Sequence, residues 1–261
     1  MRIVEVSHPV LADPQTRTVR LYPVGDMHIG AAGFDMISFR QYVARIAADP
    51  CGLVLGVGDW INNSIRSSIG VNYEETIADP QAQCETAAAL LEPVADRIIA
   101  MVRGNHCYRS RRSDGLDPMS VMSYILGRAS VYYGDAVCLK IAFGRKRNGK
   151  RAAYTVFLSH GAGGGRTVGG KAAAMKRGMD MVLADVVVLG HSHAPMAYQS
   201  AVWLPDPQNN VMRKHVVHLV NSGTWLDGDG YAERALLPPA VTGAPVVVLS
   251  GDGEKSVRVV Y

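Results

Sequence analysis

The amino-acid sequence predicts an α/β fold built around a largely parallel sheet. Short runs rich in Val, Ile and Leu are typical of strands buried on both faces, and Leu53 to Val57 is the clearest of them. Between such runs lie segments with apolar side chains at helical spacing, for example Phe34 to Ala48, which Asp49-Pro50 ends. Strands that alternate with helices in this way favour parallel neighbours in one sheet.

The N-terminal half contains several of the strands predicted for this sheet. Ile3 to Val6 predicts an edge strand, and Arg17 to Val24 alternates well enough to be the first core strand. Residues 62–79 are polar and predict a loop that crosses above the sheet. Three further elements are expected: a helix over Gln81 to Leu91, a strand over Ile98 to Val102, and a helix from Asp117-Pro118, capped by Asp117, to about Leu126.

The C-terminal half is expected to be richer in strands. Asn148-Gly149 lies between the alternating runs Ala136 to Phe143 and Arg151 to Leu158, which is a strong hairpin signal. A glycine-rich loop after His160 leads into a helix over Thr167 to Arg177. The remaining strands are expected over Val186 to Leu189, Met196 to Leu204, Val211 to Val220, Ala244 to Ser250 and Ser256 to Tyr261. No repeat or linker interrupts the sequence, so we expect a single domain over residues 1–261.

Composition and charge exclude several classes of protein. Hydrophobic residues make up 48% of the chain and charged residues 19%, as in an ordinary globular protein. No apolar run approaches the ~20 residues that span a bilayer, and the N-terminus lacks the pattern of a signal peptide, so we expect a cytoplasmic protein without a membrane partner. The four cysteines occur singly, which favours reduced thiols over disulfides or a zinc ribbon. The net charge of +4 permits an anionic substrate.

Five strand-like runs end in side chains that can bind a metal. These side chains are Asp26 and His28, Asp59, Asn105 and His106, His160, and His191 and His193. Because ligands collect at the carboxyl ends of strands in such sheets, we expect a metal site there with Asp59 as its shared ligand. Carboxylate, amide and imidazole ligands without thiolate suit Mn²⁺, Fe or Zn²⁺.

Local geometry supports the same expectation. Alternate residues that leave a strand point to one side, so Asp26 with His28, and His191 with His193, would each offer two ligands together. A glycine precedes or adjoins these ligands at positions 25, 58, 104 and 190. We expect these glycines to let the backbone turn sharply where a side chain would block it.

The ordered set D-x-H, G-D, G-N-H, a lone His and G-H-x-H resembles the pattern of the calcineurin-like metallophosphoesterases. The resemblance implies a four-layer α/β/β/α sandwich of mixed sheets, with a dinuclear metal centre at the C-terminal ends of the strands. It assigns Asp26, His28, Asp59 and His193 to the first metal, and Asp59, Asn105, His160 and His191 to the second. His106 matches the family's non-ligand histidine, which helps to transfer a proton to the leaving group and stabilises charge on the phosphoryl oxygens.

Two divalent cations about 3.5–4 Å apart can ionise a bridging water and clamp the phosphoryl oxygens, so that hydroxide attacks phosphorus directly. We therefore expect a phosphoesterase with two divalent ions, with Mn²⁺ favoured over Fe, Zn²⁺ or Mg²⁺.

Two positions depart from the family pattern. Cys107 stands where an acid usually orients the catalytic histidine, so either another acid orients His106 or its contribution is reduced. Asn62-Asn63-Ser64 replaces the Asp-Arg-Gly of the protein phosphatases, which favours a phosphodiesterase or nuclease acting on nucleic acid or nucleotides.

Arginines near these motifs are candidate substrate contacts. Arg109 and Arg111 follow His106, and Arg166 follows the glycines after His160, so we expect their guanidinium groups to face phosphate oxygens. Gly165 to Lys171 matches a phosphate-loop spacing, but Ala172 lacks the hydroxyl that would hold Mg²⁺, which argues against a nucleotide loop.

The role of Trp60 and the function of the protein each have more than one interpretation. Trp60 is either a base-stacking side chain or a core aromatic, and residues 221–224 predict a loop at the rim of the site. The alternative functions are a phosphomonoesterase acting on a small molecule, a non-catalytic metal-binding scaffold of the same fold, for which Cys107 is the only support, and a nucleic-acid-binding module whose metals are structural.

Overall fold

The structure is a computed structural model that describes residues 3–65, 68, 75–146, 149–163, 165–228 and 238–261. The strands of its first half are β1 (Ile3–Glu5), β2 (Thr18–Gly25), β3 (Gly52–Gly58), β4 (Ile98–Met101), β5 (Ala136–Phe143) and β6 (Arg145–Lys146). Those of its second half are β7 (Ala152–Ser159), β8 (Val186–Leu189), β9 (Pro195–Asp206), β10 (Val211–Ser222), β11 (Val246–Ser250), β12 (Asp252–Gly253) and β13 (Val257–Val260).

The helices are α1 (Pro9–Ala12), α2 (Met36–Ala48), α3 (Pro80–Leu91), α4 (Asn105–Asp114), α5 (Pro118–Ile125) and α6 (Val168–Met181). Most begin at a side chain that accepts a hydrogen bond from the first turn, which satisfies an otherwise unpaired backbone amide. Asp35 caps α2, Asp79 caps α3 and Thr167 caps α6 in this way. None of the described helices is long and apolar enough to cross a membrane.

The strands form two mixed sheets and one short pair. The six-stranded sheet has the order β1-β5-β7-β8-β10-β9, the five-stranded sheet has the order β13-β11-β2-β3-β4, and β12 pairs with β6. Strands β2, β3 and β4 run parallel, and so do β7, β8 and β10. The carboxyl ends of each parallel set therefore meet at one edge of its sheet, which confirms the parallel neighbours that the sequence predicted.

Three apolar clusters separate four layers. The central cluster lies between the two sheets and contains Leu55 of β3 and Leu139 of β5. A second cluster packs the five-stranded sheet against helices and includes Phe39 of α2. The third packs the six-stranded sheet against α6 through Met175 and Met179. This arrangement confirms the expected α/β/β/α sandwich with mixed sheets.

Strand β3 shows why the sequence pattern was informative. Leu53, Leu55 and Val57 belong to the central cluster, whereas Val54 between them belongs to the outer one. Because alternate side chains point to opposite faces, a strand covered on both faces is apolar throughout. Every residue of β3 is buried, as its uninterrupted apolar run predicted.

Two regions differ from the sequence-based expectations. The sequence predicted no helix over residues 105–114, yet α4 forms there with only Cys107 and Ser110 buried, so it offers almost no apolar periodicity to detect. Strands β5 and β7 pair in antiparallel register, as the hairpin prediction required. Residues 147–148 of the expected turn lie outside the described residues, and β6 leaves the hairpin to pair with β12.

The expected cap Asp117 of α5 has a larger role in the fold. Its carboxylate accepts hydrogen bonds from the backbone amides of Met119 and Ser120. It also accepts from the Arg103 guanidinium at 2.9 Å and from the Tyr132 hydroxyl at 2.5 Å, and the residue is only 6% exposed. One carboxylate thus joins the start of α5 to the residues that follow β4.

We expect the substitution Asp117→Ala to lower the free energy of unfolding by about 3 kcal/mol, because it removes a cap and two further hydrogen bonds, those from Arg103 and Tyr132. Asp79→Ala removes an exposed cap alone and should cost about 1 kcal/mol. Urea denaturation of both variants provides the measurement. Equal losses in the two variants would show that the buried contacts of Asp117 contribute nothing.

Candidate metal centre

The structure brings together the side chains that the sequence placed at five strand ends. Two groups of donor atoms form, with Asp26, His28 and His193 in one and Asp59, His160 and His191 in the other. A third combination joins His28, Asp59 and His106, so the Asp59 carboxylate lies within reach of both groups. The Asn105 side-chain oxygen completes the second group, 3.0 Å from His160 Nε2 and 2.8 Å from His191 Nδ1.

Asp26 has one oxygen fixed by the protein and one directed at imidazoles. Its Oδ2 accepts hydrogen bonds from the backbone amide of His191 at 2.9 Å and from the Ser222 hydroxyl at 3.3 Å. Its Oδ1 is buried without a hydrogen-bond partner among the described residues. This oxygen lies 3.2 Å from His193 Nε2 and 3.8 Å from His28 Nε2, and the two Nε2 atoms are 3.1 Å apart.

The two carboxylate oxygens of Asp59 also have different partners. Its Oδ1 accepts a hydrogen bond from the backbone amide of His106 at 2.8 Å. Its Oδ2 lies 3.1 Å from His160 Nε2 and 3.9 Å from His106 Nε2. His160 is oriented by its other ring nitrogen, since Nδ1 donates to the backbone carbonyl of Val57 at 2.8 Å and leaves Nε2 to face the carboxylate.

The backbone at these positions is left-handed. Asp26, His28, Asp59, His191 and His193 have φ angles between 48° and 68°. Asp and His adopt this region more readily than most residues, but such conformations still cost about 1–3 kcal/mol each. Asp26 and His28 do face a common point, as expected, but this left-handed backbone directs them and not the alternation of an extended strand. His191 and His193, for which alternation along a strand predicted one common side, lie in different groups of donor atoms, and the family resemblance had assigned them to different metals.

The neighbouring glycines act mainly through their missing side chains. Gly58 has a φ of 88°, which fits the expected sharp turn, but Gly104 has an ordinary φ of −103°. A Cβ on Gly104 would lie 2.0 Å from Asp59 Oδ1, and a Cβ on Gly190 would lie 2.7 Å from Asp26 Oδ2. The explanation by backbone turning is therefore wrong for Gly104, where glycine instead lets a carboxylate approach the backbone closely.

The buried carboxylates govern the ionisation of the imidazoles. Burial alone would lower the pKa of His160, but Asp59 and Asp26 raise this pKa to about 9. Burial would raise the pKa of the Asp59 carboxyl, yet the surrounding imidazoles, led by His160, hold it well below its usual range. The cluster therefore requires positive charge beside its two carboxylates.

This donor set fits divalent metal ions. The facing donor atoms lie 2.8–3.9 Å apart, a spacing compatible with ligand bonds of about 2.0–2.2 Å to a shared cation. The unpartnered Asp26 Oδ1 is an oxygen that a cation would satisfy. All donors are nitrogen or oxygen atoms, which favours Mn²⁺, Fe, Zn²⁺ or Mg²⁺ over a thiolate-selective metal.

His106 lies beside Asp59 and is held through its Nδ1 atom. That nitrogen donates to the backbone carbonyl of Asn62 at 2.5 Å, so Nε2 is the ring atom that remains for other partners. The Nη2 atom of Arg109, one helical turn further along α4, lies 3.0 Å from this Nε2. Burial lowers the pKa of His106 to about 3, although Asp59 opposes this effect, so the imidazole is neutral at pH 7.

A polar network supports the Asn62 carbonyl. The Asn62 side chain donates to Glu75 Oε1 at 2.7 Å, and Gln83 donates to Glu75 Oε2 at 2.9 Å. Gln83 also accepts from the backbone amide of Asn63, whose own side chain donates to the His106 carbonyl at 2.7 Å. Glu75 is therefore linked to His106 through Asn62 rather than by direct contact.

The side chain of Cys107 does not take the place of an acid that would bind His106 Nδ1, because that nitrogen donates to the Asn62 carbonyl. Cys107 is fully buried in the outer apolar cluster, and burial raises the pKa of its thiol well above the usual value. Position 107 therefore serves packing, and orientation of His106 is supplied by a backbone carbonyl. The sequence could not show that the Asn62 carbonyl orients His106 in place of an acid at position 107, because Asn62 lies far from His106 along the chain.

The three predicted arginines have different environments. Arg109 is half-buried against His106, whereas Arg111 is directed to Asp117, with 3.9 Å between Nη1 and Oδ2. The structure therefore does not bring Arg111 to the metal centre, because α4 turns it away and a buried carboxylate attracts it. Arg166 is exposed on the glycine-rich loop and forms no ion pair or hydrogen bond with another described residue. That loop is tied instead by Arg177, which donates to the Ala162 carbonyl at 2.7 Å.

The segment 221–224 is buried beneath the site and not at its rim. Ser222 supports the Asp26 carboxylate, Thr224 Oγ1 donates to the Asp26 backbone carbonyl at 2.9 Å, and Asn221 donates to the Gly190 carbonyl at 2.7 Å. All three residues are at most 1% exposed. The sequence signal for these residues was a cluster of polar side chains directly after an apolar strand. We interpreted that cluster as a loop at the rim of the site, whereas the structure places it beneath the site.

The remaining candidates are structural. Trp60 is fully buried, and its indole donates to the Val24 carbonyl at 2.9 Å, so it is a core aromatic and not a base-stacking side chain. His8 caps α1, and His215 contacts the carbonyl of Ala184 through Nε2. These histidines lie outside both donor groups.

Comparison with known proteins agrees with this geometry. Residues 19–195 match the family described as calcineurin-like phosphoesterase, and this range contains both donor groups and His106. The chain therefore belongs to the calcineurin-like phosphoesterase family. No curated protein sequence matches the chain.

Solved structures show distant similarity. Vacuolar Protein Sorting 29 from Cryptosporidium parvum is 16% identical, with 94% of this chain and 97% of that chain covered and a TM-score of 0.42. A Zn²⁺ complex of Vps29 from Entamoeba histolytica is 12% identical, with coverages of 93% and 98% and a TM-score of 0.43. The calcineurin-like phosphoesterase YfkN from Bacillus subtilis is 12% identical, with coverages of 93% and 90% and a TM-score of 0.40.

We expect Gly104→Ala to reduce the affinity of the protein for divalent metal by at least about tenfold, because the new Cβ displaces the Asp59 carboxylate. Gly169 is the matched control: it lies in α6 with nothing within 4 Å of an added Cβ, so Gly169→Ala should bind metal normally and be slightly more stable. Elemental analysis after dialysis against Mn²⁺ measures the effect. Normal metal content in Gly104→Ala would show that this close approach is not required.

Proposed function

We propose that the protein is a metal-dependent phosphodiesterase that acts on nucleic acid or nucleotides, with Mn²⁺ as its metal. The observation that carries the proposal is the position of Asp59, which lies within reach of both donor groups and also of His106. One carboxylate thus links two sets of metal-binding side chains to a histidine that is not needed for either set. Family membership supports phosphate-ester hydrolysis as the reaction class.

In this proposal, Asp26, His28, Asp59 and His193 hold one cation, and Asp59, Asn105, His160 and His191 hold the second. When bound, the two cations would supply Lewis-acid activation of water and of the phosphoryl group. The protein contributes fixed ligand positions, because one oxygen of each aspartate is tied to a backbone amide. Fixed donors need little reorganisation during the reaction, which is the main source of electrostatic catalysis.

His106 is the proposed catalytic histidine. Because its Nδ1 is committed to the Asn62 carbonyl, Nε2 is the ring atom that exchanges a proton or hydrogen bond with the substrate. The guanidinium of Arg109 lies against the same ring atom and carries positive charge to the same place. We propose that Arg109 contacts a non-bridging phosphoryl oxygen, and that the exposed Arg166 provides a second contact.

The charge of the site favours a diester over a monoester. A phosphodiester carries one negative charge, whereas a monoester carries about −1.5 to −2 at neutral pH. Among the described residues, Arg109 is the one cationic side chain in contact with His106. Asn62 and Asn63 have uncharged side chains that form hydrogen bonds within the protein, so they add no positive charge for a phosphorylated protein substrate.

The non-catalytic scaffold is an alternative to this proposal. It rested on Cys107, but that residue lies in the apolar core, and a backbone carbonyl holds His106. A second candidate function is hydrolysis of a small-molecule phosphomonoester by the same residues. The choice between diester and monoester is therefore the first one to test.

Purified protein should be assayed with bis(4-nitrophenyl) phosphate and with 4-nitrophenyl phosphate, each in Mn²⁺ and in excess chelator. We expect Mn²⁺-dependent turnover of the diester that exceeds turnover of the monoester, and no turnover with chelator. The reverse preference would replace the diesterase proposal with the monoesterase. Absence of metal-dependent turnover of either ester would refute the catalytic proposal.

We expect His106→Ala to lower kcat about 10²–10⁴-fold with the diester, as for loss of a proton-transfer group, while metal content and folding stay normal. His215→Ala is the control, because this histidine contacts the Ala184 carbonyl and lies outside both donor groups. It should leave kcat within about twofold of the unsubstituted protein. Undiminished kcat in metal-loaded His106→Ala would remove His106 from the mechanism.

A further inference from the structure

The two longest described strands form a hairpin arm that extends beyond the six-stranded sheet. β9 and β10 pair along their full length of 12 residues each. β8 pairs with β10 only from His218 to Asn221, so the distal part of the hairpin has no further strand beside it in the described sheet. We call residues 201–216 the arm. A two-stranded ribbon alone is at best marginally stable in water, so the surfaces that contact the arm matter for its stability.

One face of the arm continues the face that forms the core of the molecule. Val220 of β10 belongs to the central cluster between the two sheets, and Ala197 of β9 packs against that cluster. Because alternate side chains share a face and the β9–β10 register has no bulge, the same face of the arm carries Ala201, Trp203, Pro205, Met212, Lys214 and Val216. All of these except Lys214 are apolar, and all are exposed, Trp203 by 63% and Met212 by 55%. A face that the second sheet covers in the core is thus uncovered in the arm.

The outer edge of β9 is an open strand edge without the usual protection. β9 is the last strand of the six-stranded sheet, and β10 supplies all the backbone hydrogen bonds that residues 196–205 form with described residues. This run contains no charged residue, and its one proline, Pro205, lies at its end. Natural sheets protect an edge with charges, prolines, bulges or a short strand, because unpaired amides and carbonyls readily bind another strand.

The other edges of the two large sheets have such protection. β1 has three residues, of which Glu5 is charged, and β13 has four residues, of which Arg258 is charged. β4 has four residues, and Met101 at its end forms a bridge with Tyr132. β9, with 12 residues and no charge before Asp206, is the exception, which points to another strand as its partner.

We propose that the arm is a dimerisation surface, on which β9 pairs antiparallel with β9 of a second copy of this chain about a two-fold axis. The pairing joins the two six-stranded sheets into one continuous sheet. It also places the side chains of the second β9 beside Trp203 on the exposed apolar face. The unpaired edge and the uncovered face are therefore satisfied by one contact.

Symmetry and charge favour a second copy over an unrelated protein. An antiparallel pair of identical strands has two-fold symmetry, so the same edge serves both partners and the assembly closes at two chains. Because residues 196–205 carry no charge, this pairing puts no like charges opposite each other. The arm is somewhat smaller than the about 20–30 residues that each side of a standard interface contributes, which fits a reversible dimer with a dissociation constant in the micromolar range.

The pairing leaves both metal centres free. β9 begins shortly after His193, and β10 ends at Ser222, which supports Asp26. Trp203 lies about 27 Å along the extended strand from Pro195, at the end of the hairpin remote from the site. Because the paired strands run in opposite directions, the two metal centres lie at opposite ends of the joined sheet.

Sedimentation velocity of the full chain from about 1 µM to about 200 µM tests the proposal. We expect the mass to rise from that of one chain to that of two. Trp203→Glu should raise the dissociation constant at least about tenfold, because it replaces the largest apolar side chain of the surface with a charge in both copies. Lys214 is opposite Trp203 across the hairpin and can pair with the introduced carboxylate, so the arm itself should stay folded. Ile37→Glu is the matched control: Ile37 is 74% exposed on α2, and its substitution should leave the dissociation constant unchanged.

Amide hydrogen exchange provides a second measurement that locates the surface. Outward-facing amides of residues 196–204 should exchange at least about tenfold more slowly at the highest protein concentration than at the lowest, whereas exchange in α2 should not change. A single-chain mass at every concentration, an assembly that grows beyond two chains, or a dimer that Trp203→Glu leaves intact would overturn the proposal. Unchanged exchange of β9 in a two-chain species would place the interface elsewhere and overturn it as well.

Discussion

The site depends on the burial of two carboxylates where the ends of both sheets meet. Asp26 and Asp59 are at most 1% exposed, and an uncompensated buried charge costs several kcal/mol. Each therefore receives a hydrogen bond from a backbone amide, that of His191 or His106, and each faces imidazoles with its second oxygen. The same demand for positive charge that raises the pKa of His160 is what divalent cations would satisfy, so the requirements of stability and of metal binding coincide.

The geometry that presents these ligands is locally unfavourable and is held by the surrounding structure. Five ligand-type residues adopt left-handed φ angles, which persist only where neighbouring contacts determine them fully. The loop of Asp26 and His28 is tied to the loop of Asp59, because the Asp26 amide donates to the Gly58 carbonyl and the His28 amide donates to the Asp59 carbonyl. Contacts between strands of one sheet thus stabilise a conformation that neither loop would adopt alone.

His106 shows how the orientation of a ring can be fixed without an acid at the next position. Its ring is oriented by the Asn62 carbonyl, which belongs to a network that includes Glu75 and Gln83. The buried thiol of Cys107 packs in the outer apolar cluster instead. A carbonyl fixes the tautomer as firmly as a carboxylate does but adds no negative charge, which keeps the surroundings of Arg109 more positive.

The sequence by itself determined the fold class and the chemical nature of the site, because both depend on local patterns. Uninterrupted apolar runs indicated strands covered on both faces, and the polar residues directly after them indicated which side chains would meet. Only the tertiary structure decided that Arg111 turns to Asp117, that α4 forms without an apolar face, and that Ser222 supports Asp26 from 196 residues away. These outcomes depend on partners that are distant in the chain, so no local pattern of residues can encode them before packing brings the partners together.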